Sequence, residues 1–181
     1  MLELLFQPAL KGSYEELKQQ LEPLIKELND FYSNKYLILN QSCDRCGDCC
    51  VNNVISSFIE AFNLYSYLVE HYSNAHRLIV QPPRIGYSKH GRLVEKCNFL
   101  TKIDEKKTEC IVYPARVFEC RRYIKLANGC GHLKHPEVWD PFEIVHPFLE
   151  QINKSELIPK KFRGKVGYLR DLLIEIDISL R

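Results

Sequence analysis

The sequence predicts a single, mainly α-helical domain with irregular cysteine-rich loops that can include a short β-hairpin. A chain of 181 residues, 45% hydrophobic and 27% charged, is long enough for one globular core and short for two. Two amphipathic patterns lie on either side of a polar segment that holds half of the eight cysteines. No repeat or linker divides the chain. We therefore predict one domain over 1–181, with a cysteine module at about 43–130 and helical flanks at 1–42 and 131–181.

The first amphipathic pattern begins at a capping box, in which Ser13 is followed three residues later by Glu16. Apolar residues then recur on one helical face: Leu17, Leu21, Leu24, Leu28 and Phe31. Pro23 interrupts this pattern, and we expect it to kink the helix or to divide it into two.

The second pattern begins at another capping box, Ser57 with Glu60. Mostly aromatic residues follow at helical spacing: Phe58, Phe62, Tyr65, Val69 and Tyr72. A stripe of this kind is more often core than a cofactor-binding face, so we expect it to pack inward.

The other segments give shorter signals. Residues from Leu78 to Val94 favour extended structure, with a hairpin predicted between Ile85 and Val94. A helix is predicted to begin at Pro141, because proline suits the first helical position. The C-terminal pattern fits a helix or a strand, and we favour a helix that includes the following residues: Val166, Leu169, Leu172, Leu173 and Ile176.

Composition and motifs exclude several functional classes. A net charge of +2 does not indicate nucleic-acid binding, and no apolar run approaches the roughly 18 residues of a membrane helix. The N-terminal residues lack the basic region of a signal peptide, so we expect a soluble cytoplasmic protein. Phosphate-loop, dinucleotide and nucleophile-elbow motifs are absent, and the sequence therefore identifies no catalytic residue.

The eight cysteines are the strongest functional signal, and we predict all of them as metal ligands. They form two groups: Cys43, Cys46, Cys49 and Cys50, then Cys97, Cys110, Cys120 and Cys130. Closely spaced thiolates suit a soft metal cation, whereas disulfides spread along a chain to close loops. We expect Cys43 to approach the second group at a shared site that organises the fold. Whether all eight serve one centre or two stays open.

The motifs around these cysteines resemble those of a known family. The first group reads CxxCxxCC, and the second lies in Cys-x-Phe-Leu, Cys-x-x-Tyr-x-x-Arg and Cys-Arg-x-Tyr motifs. This order is similar to the CxxCxxCC family of zinc- or iron-chelating proteins, often labelled YkgJ-type cysteine cluster proteins. The resemblance covers Cys43 to about Cys130. Arg116 is followed by Val117 where the family usually has proline, a departure that removes no ligand.

The resemblance implies a bound iron–sulfur cluster or zinc. A C-x2-C-x2-C run also holds three corners of a [4Fe–4S] cluster in bacterial ferredoxins. We therefore expect an iron–sulfur protein that assists redox or protein-modification chemistry with an unidentified protein partner or substrate. The alternative is a zinc-stabilised structural or interaction module without catalytic activity.

Two further sets of residues lie near the cysteines. His132 is a weaker candidate for metal contact than any cysteine. Arg116, Arg121 and Arg122 are either solvated charges or hydrogen-bond donors to ligand sulfurs.

Overall fold

The computed structural model describes residues 13–34, 50, 54–87, 91–102, 108–121, 123–126, 129–132 and 141–181. For 34, 123–126, 129–132 and 141–144 it describes the backbone alone. The helices in these residues are α1 (Tyr14–Asn34), α2 (Phe58–His71), α3 (Ala75–Val80), α4 (Phe118–Arg121), α5 (Pro141–Asn153) and α6 (Leu169–Ser179). A 3₁₀ turn at Tyr113–Ala115 precedes α4.

The strands are all three or four residues long. They are β1 (Ile55–Ser57), β2 (Arg84–Tyr87), β3 (Leu93–Lys96), β4 (Leu100–Lys102), β5 (Thr108–Cys110), β6 (Tyr123–Leu126), β7 (Gly129–His132) and β8 (Val166–Tyr168). Within the described ranges they form four two-stranded antiparallel sheets. Three of these are hairpins between neighbours in the chain, and the fourth pairs β1 with β8, so that Ile55 lies opposite Tyr168.

The predicted fold class is therefore wrong, because the chain is a mixed α and β protein and not a mainly α-helical one. The segment from Cys97 to Cys130, expected as irregular loop, contains the β4–β5 hairpin, α4 and most of the β6–β7 hairpin. Strands of three or four residues are too short to show a clear alternation, and the partner of β1 lies far along the chain. The hairpin predicted between Ile85 and Val94 is confirmed as β2–β3.

Both predicted capping boxes begin helices. Ser13 N–H donates to Glu16 Oε2 at 2.8 Å, and Glu16 N–H donates to Ser13 Oγ at 3.4 Å, at the start of α1. Ser57 and Glu60 make the same reciprocal pair at the start of α2. Pro23 lies inside α1, which continues through it as one helix. Of the two expected outcomes, a kink or a division into two helices, the division does not occur.

The main core surrounds α2, which contacts α1 on one side and α6 on another. Phe58 and Phe62 are fully buried, and the ring of Phe58 stacks on that of Phe162 with centroids 4.4 Å apart. The prediction that the whole aromatic stripe packs inward is wrong at Val69, whose side chain is 38% exposed. Leu64, outside the predicted stripe, is buried in the core instead. A second cluster packs α1 against α4 and α5, through Leu28, Phe31, Tyr32, Phe118 and Val145.

Two local predictions need correction and two hold. Leu78 lies in α3 and not in extended structure, and Val166 lies in β8, where it is 62% exposed. The helix predicted from Pro141 is confirmed as α5, and the C-terminal helix is confirmed from Leu169 onward as α6.

Candidate metal centre

Four of the eight predicted ligands have described side chains. Cys50, Cys97, Cys110 and Cys120 are each half-buried, which suits thiolates that ligate a metal at the edge of a core. Cys130 lies in β7, where the backbone alone is described. The other three predicted ligands, Cys43, Cys46 and Cys49, lie outside the described residues, and so does the expected approach of Cys43 to the second group.

The two cysteine groups meet at Cys50 and Cys97. Cys97 N–H donates to the carbonyl oxygen of Cys50 at 3.0 Å, a contact that joins the end of the first group to the start of the second. Cys97 directly follows β3, and Cys50 precedes β1 by a few residues. The bond brings two predicted ligands from distant parts of the sequence onto adjacent backbone.

The β4–β5 hairpin places Cys110 close to the same point. Leu100 N–H donates to the carbonyl of Cys97 at 3.2 Å, and Leu100 lies directly opposite Cys110 in the sheet. The next residue, Ile111, donates to the carbonyl of Phe99 at 2.9 Å. Cys97 and Cys110 therefore flank one end of this hairpin.

Cys120 lies elsewhere, toward the opposite end of α2 from Cys110. Tyr72, just beyond the C-terminal end of α2, donates its hydroxyl to the carbonyl of Ile111 at 3.0 Å. Glu60, in the first turn of α2, accepts a hydrogen bond from Phe118 N–H at 2.7 Å on the short helix that carries Cys120. Positions 60 and 72 are about 18 Å apart along a helix. The residues near Cys110 and Cys120 therefore contact different ends of α2, Ile111 through Tyr72 and Phe118 through Glu60.

Within the described residues, no three or more His, Cys, Asp or Glu side chains are close enough together to hold a metal ion. A fold organised around a metal centre is therefore not seen in this part of the chain. The donor chemistry still fits a soft metal, since the described cysteines offer thiolates from several elements. His132 ends β7, and its side chain is not described.

The arginines beside the cysteines bond to the backbone. Arg121 is 6% exposed, and it donates from Nε to the carbonyl of Arg116 at 2.6 Å and from a terminal nitrogen to that of Pro114 at 2.8 Å. Arg116 is also buried and lies over the ring of Tyr113. The interpretation of these arginines as solvated charges is therefore wrong for Arg116 and Arg121. Arg122 lies outside the described residues.

Glu60 lies at the centre of a buried carboxylate network that the sequence did not predict. One carboxylate oxygen accepts from Tyr32 Oη at 2.6 Å and from Phe118 N–H, and the other accepts from Ser57 N–H and Oγ. Burial, followed by the charge of Glu60, raises the pKa of Tyr32 well above its usual range. The capping box at Ser57 accounts for the bond from Ser57 N–H, but no local pattern connects Glu60 to Tyr32. The network holds α1, α2 and α4 together.

A wide groove of about 920 Å³ lies between α1, α2 and the turn at Tyr113–Ala115. Its walls carry acidic, amide and tyrosine side chains, including Glu16, Asn63 and Tyr67, and Arg121 reaches its lining from α4. Among the described residues, no cysteine lines this groove.

Comparisons with protein-family models, with curated proteins and with solved structures find no match for this chain. In the described part of the chain, no helix combines the length and the apolar character needed to cross a bilayer.

Proposed function

We propose that this chain is a cytoplasmic cysteine-cluster metalloprotein that binds an iron–sulfur cluster of the [4Fe–4S] type and assists redox or protein-modification chemistry. The observation that carries the proposal is the hydrogen bond from Cys97 to Cys50, because it joins two cysteine groups that the sequence separates. The resemblance of the cysteine motifs to the CxxCxxCC family supports the same function. The partner or substrate is a protein, and neither membrane nor nucleic acid is part of the proposal.

A zinc-stabilised structural module is the second candidate, and the position of Cys120 favours it. Because Cys110 and Cys120 lie toward opposite ends of α2, the eight thiolates could divide between two separate sites. Two closed sites with four thiolates each are typical of structural zinc, which needs no open coordination position.

Anaerobic purification of the whole chain, followed by metal and acid-labile sulfide analysis and an absorption spectrum, separates these candidates. Bound iron with sulfide and broad visible absorption supports the iron–sulfur protein. Colourless protein with stoichiometric zinc supports the structural module. Protein purified without either metal contradicts both.

A pair of variants in β5 tests whether the cysteines are the ligands. Cys110→Ser removes a predicted thiolate and is expected to reduce bound metal, because a serine hydroxyl is a poor ligand for soft cations. Thr108→Ser, two residues earlier in the same strand, is the matched control and should retain the metal. Equal metal content in both variants would exclude Cys110 as a ligand.

A further inference from the structure

A small cavity beside Cys97 collects polar side chains from two distant parts of the chain. It measures about 20 Å³. Cys97 and Asn98, from the turn between β3 and β4, line it together with Arg170 from the first turn of α6. The rest of its wall is apolar: Val54, Ile79, Phe99, Leu169 and Leu173.

Asn98 presents a buried acceptor whose orientation is fixed by its amide group. The residue is 8% exposed, and its Nδ2 donates to the carbonyl of Gln81 at 2.7 Å, at the C-terminal end of α3. Because Nδ2 faces Gln81, the amide oxygen Oδ1 faces away from Gln81. Oδ1 is buried and accepts no hydrogen bond from the described residues. Buried polar atoms of folded proteins nearly always have a hydrogen-bond partner, so we expect this oxygen to accept a hydrogen bond from a group other than the described residues.

Arg170 lines the same cavity and also carries a buried polar atom. Its Nε is buried and finds no acceptor among the residues that the structure describes. The N-terminal turn of α6, which carries Arg170, is tied down by a 2.8 Å hydrogen bond from Leu169 N–H to the carbonyl of Val54. The guanidinium and the positive end of the helix dipole both favour negative charge at this place.

We propose that this cavity is a one-water site through which Arg170 stabilises the metal-ligating sulfur of Cys97. A cavity needs about 10–15 Å³ to hold a water, and a buried water makes about three hydrogen bonds. Here the water accepts from Arg170 Nε and donates to Asn98 Oδ1 and to the anionic sulfur of Cys97. The arrangement gives both unbonded atoms a partner and brings a positive charge to the thiolate.

Arg170 takes a role that the sequence suggested, as one of two alternatives, for the arginines near Cys120. Arg116 and Arg121 direct their guanidinium groups to backbone carbonyls, whereas Arg170 lines the same cavity as Cys97. Arg170 is thus a positioning residue that acts through the water and Cys97. This inference rests on the proposed metal-binding function.

The experiment compares the metal-loaded whole chain with Arg170→Gln and Arg170→Lys, and uses Arg77→Gln, an exposed position on α3, as the control. Metal affinity is measured by competition with a chromogenic chelator, and melting temperature is measured with and without metal. Loss of a group that supports a metal ligand typically lowers affinity about 10–100-fold, so we expect at least about a tenfold loss for Arg170→Gln. Arg170→Lys should recover part of it, and Arg77→Gln should match the unaltered chain. The difference in melting temperature between Arg170→Gln and the unaltered chain should disappear when the metal is removed.

The outcomes separate this inference from the metal proposal. An unaltered chain that binds no metal overturns both, whereas a metal-loaded chain whose affinity is unchanged by Arg170→Gln overturns the role of Arg170 alone. If Arg170→Gln lowers the melting temperature equally with and without metal, Arg170 contributes to packing and not to the metal ligand. This result also overturns the inference. If Arg170→Gln does not fold, the Nε–H resonance of Arg170 in the unaltered chain decides. It should change when metal is removed while that of Arg77 stays constant, and an unchanged Arg170 signal refutes the proposal.

Discussion

Replacing Glu60 by glutamine tests whether the buried carboxylate network holds the helices together. Glu60 is 3% exposed, and its two oxygens accept four hydrogen bonds, from Tyr32, Phe118 and twice from Ser57. Glutamine keeps one acceptor oxygen and places an NH₂ group at the other position. Whichever way the amide is turned, the NH₂ faces a backbone N–H, either that of Ser57 or that of Phe118, and this N–H loses its acceptor.

The expected loss follows from these bonds. A buried N–H without a partner costs about 1–3 kcal/mol, and the bonds that remain become weaker when the acceptor is neutral. Burial lowers the pKa of Arg121, and the charge of Glu60 counteracts this effect, so the neutral side chain also removes support from a buried cation. We expect Glu60→Gln to lower the free energy of unfolding by about 2–4 kcal/mol.

Urea denaturation followed by circular dichroism measures this loss at unchanged m-value. Glu150→Gln is the matched control, because Glu150 is exposed on α5 and pairs with Lys154 one turn away. A double-mutant cycle with Tyr32→Phe should show coupling between Glu60 and Tyr32. A Glu60→Gln chain as stable as the Glu150→Gln chain, or a cycle without coupling, would refute the reasoning.

Three further predictions concern alkaline pH, packing and metal removal. Burial and the nearby carboxylate of Asp177 raise the pKa of Tyr65 to about 12, compared with about 10 in unfolded chains. The contribution of neutral Tyr65 to the free energy of unfolding is therefore complete below about pH 10 and is lost as pH rises toward 12. Urea titrations at alkaline pH measure this dependence, and Tyr65→Phe should remove it. Phe162→Ala deletes a fully buried ring and should lower the free energy of unfolding by about 3–5 kcal/mol, and a loss typical of a surface change would contradict the packing described. Chelation of the native protein should speed amide exchange in 97–110 more than in α1 and α2, whereas unchanged protection there would mean that the fold orders this segment without metal.

Local patterns predicted the starts of helices better than they predicted the partners of strands. The capping boxes at Ser13 and Ser57 and the proline at position 141 act within one turn, so a short window contains the whole signal. The helical state of Leu78 was missed because an apolar run before two prolines also suits a strand, and the end of α3 is held by a bond from Asn98.

The candidate site shows the same limit. The cysteine spacing predicted which residues could bind metal, and the structure adds that Cys97 contacts Cys50 through the backbone. Arg170 lines the cavity beside Cys97 because of the way α6 packs. The cysteine motifs carry no information about this packing. The buried bonds of Glu60 to Tyr32 depend in the same way on the packing of α1 against α2.

The pairing of β1 with β8 has a consequence for synthesis on the ribosome. Residues 55–57 emerge early, but their partners at 166–168 and the helix that covers α2 emerge much later. Until then the nascent chain exposes the apolar face that includes Phe58 and Phe62, and such surfaces bind chaperones or aggregate. A message that stops between α5 and β8 would therefore yield a product that cannot close its core and is removed by proteolysis.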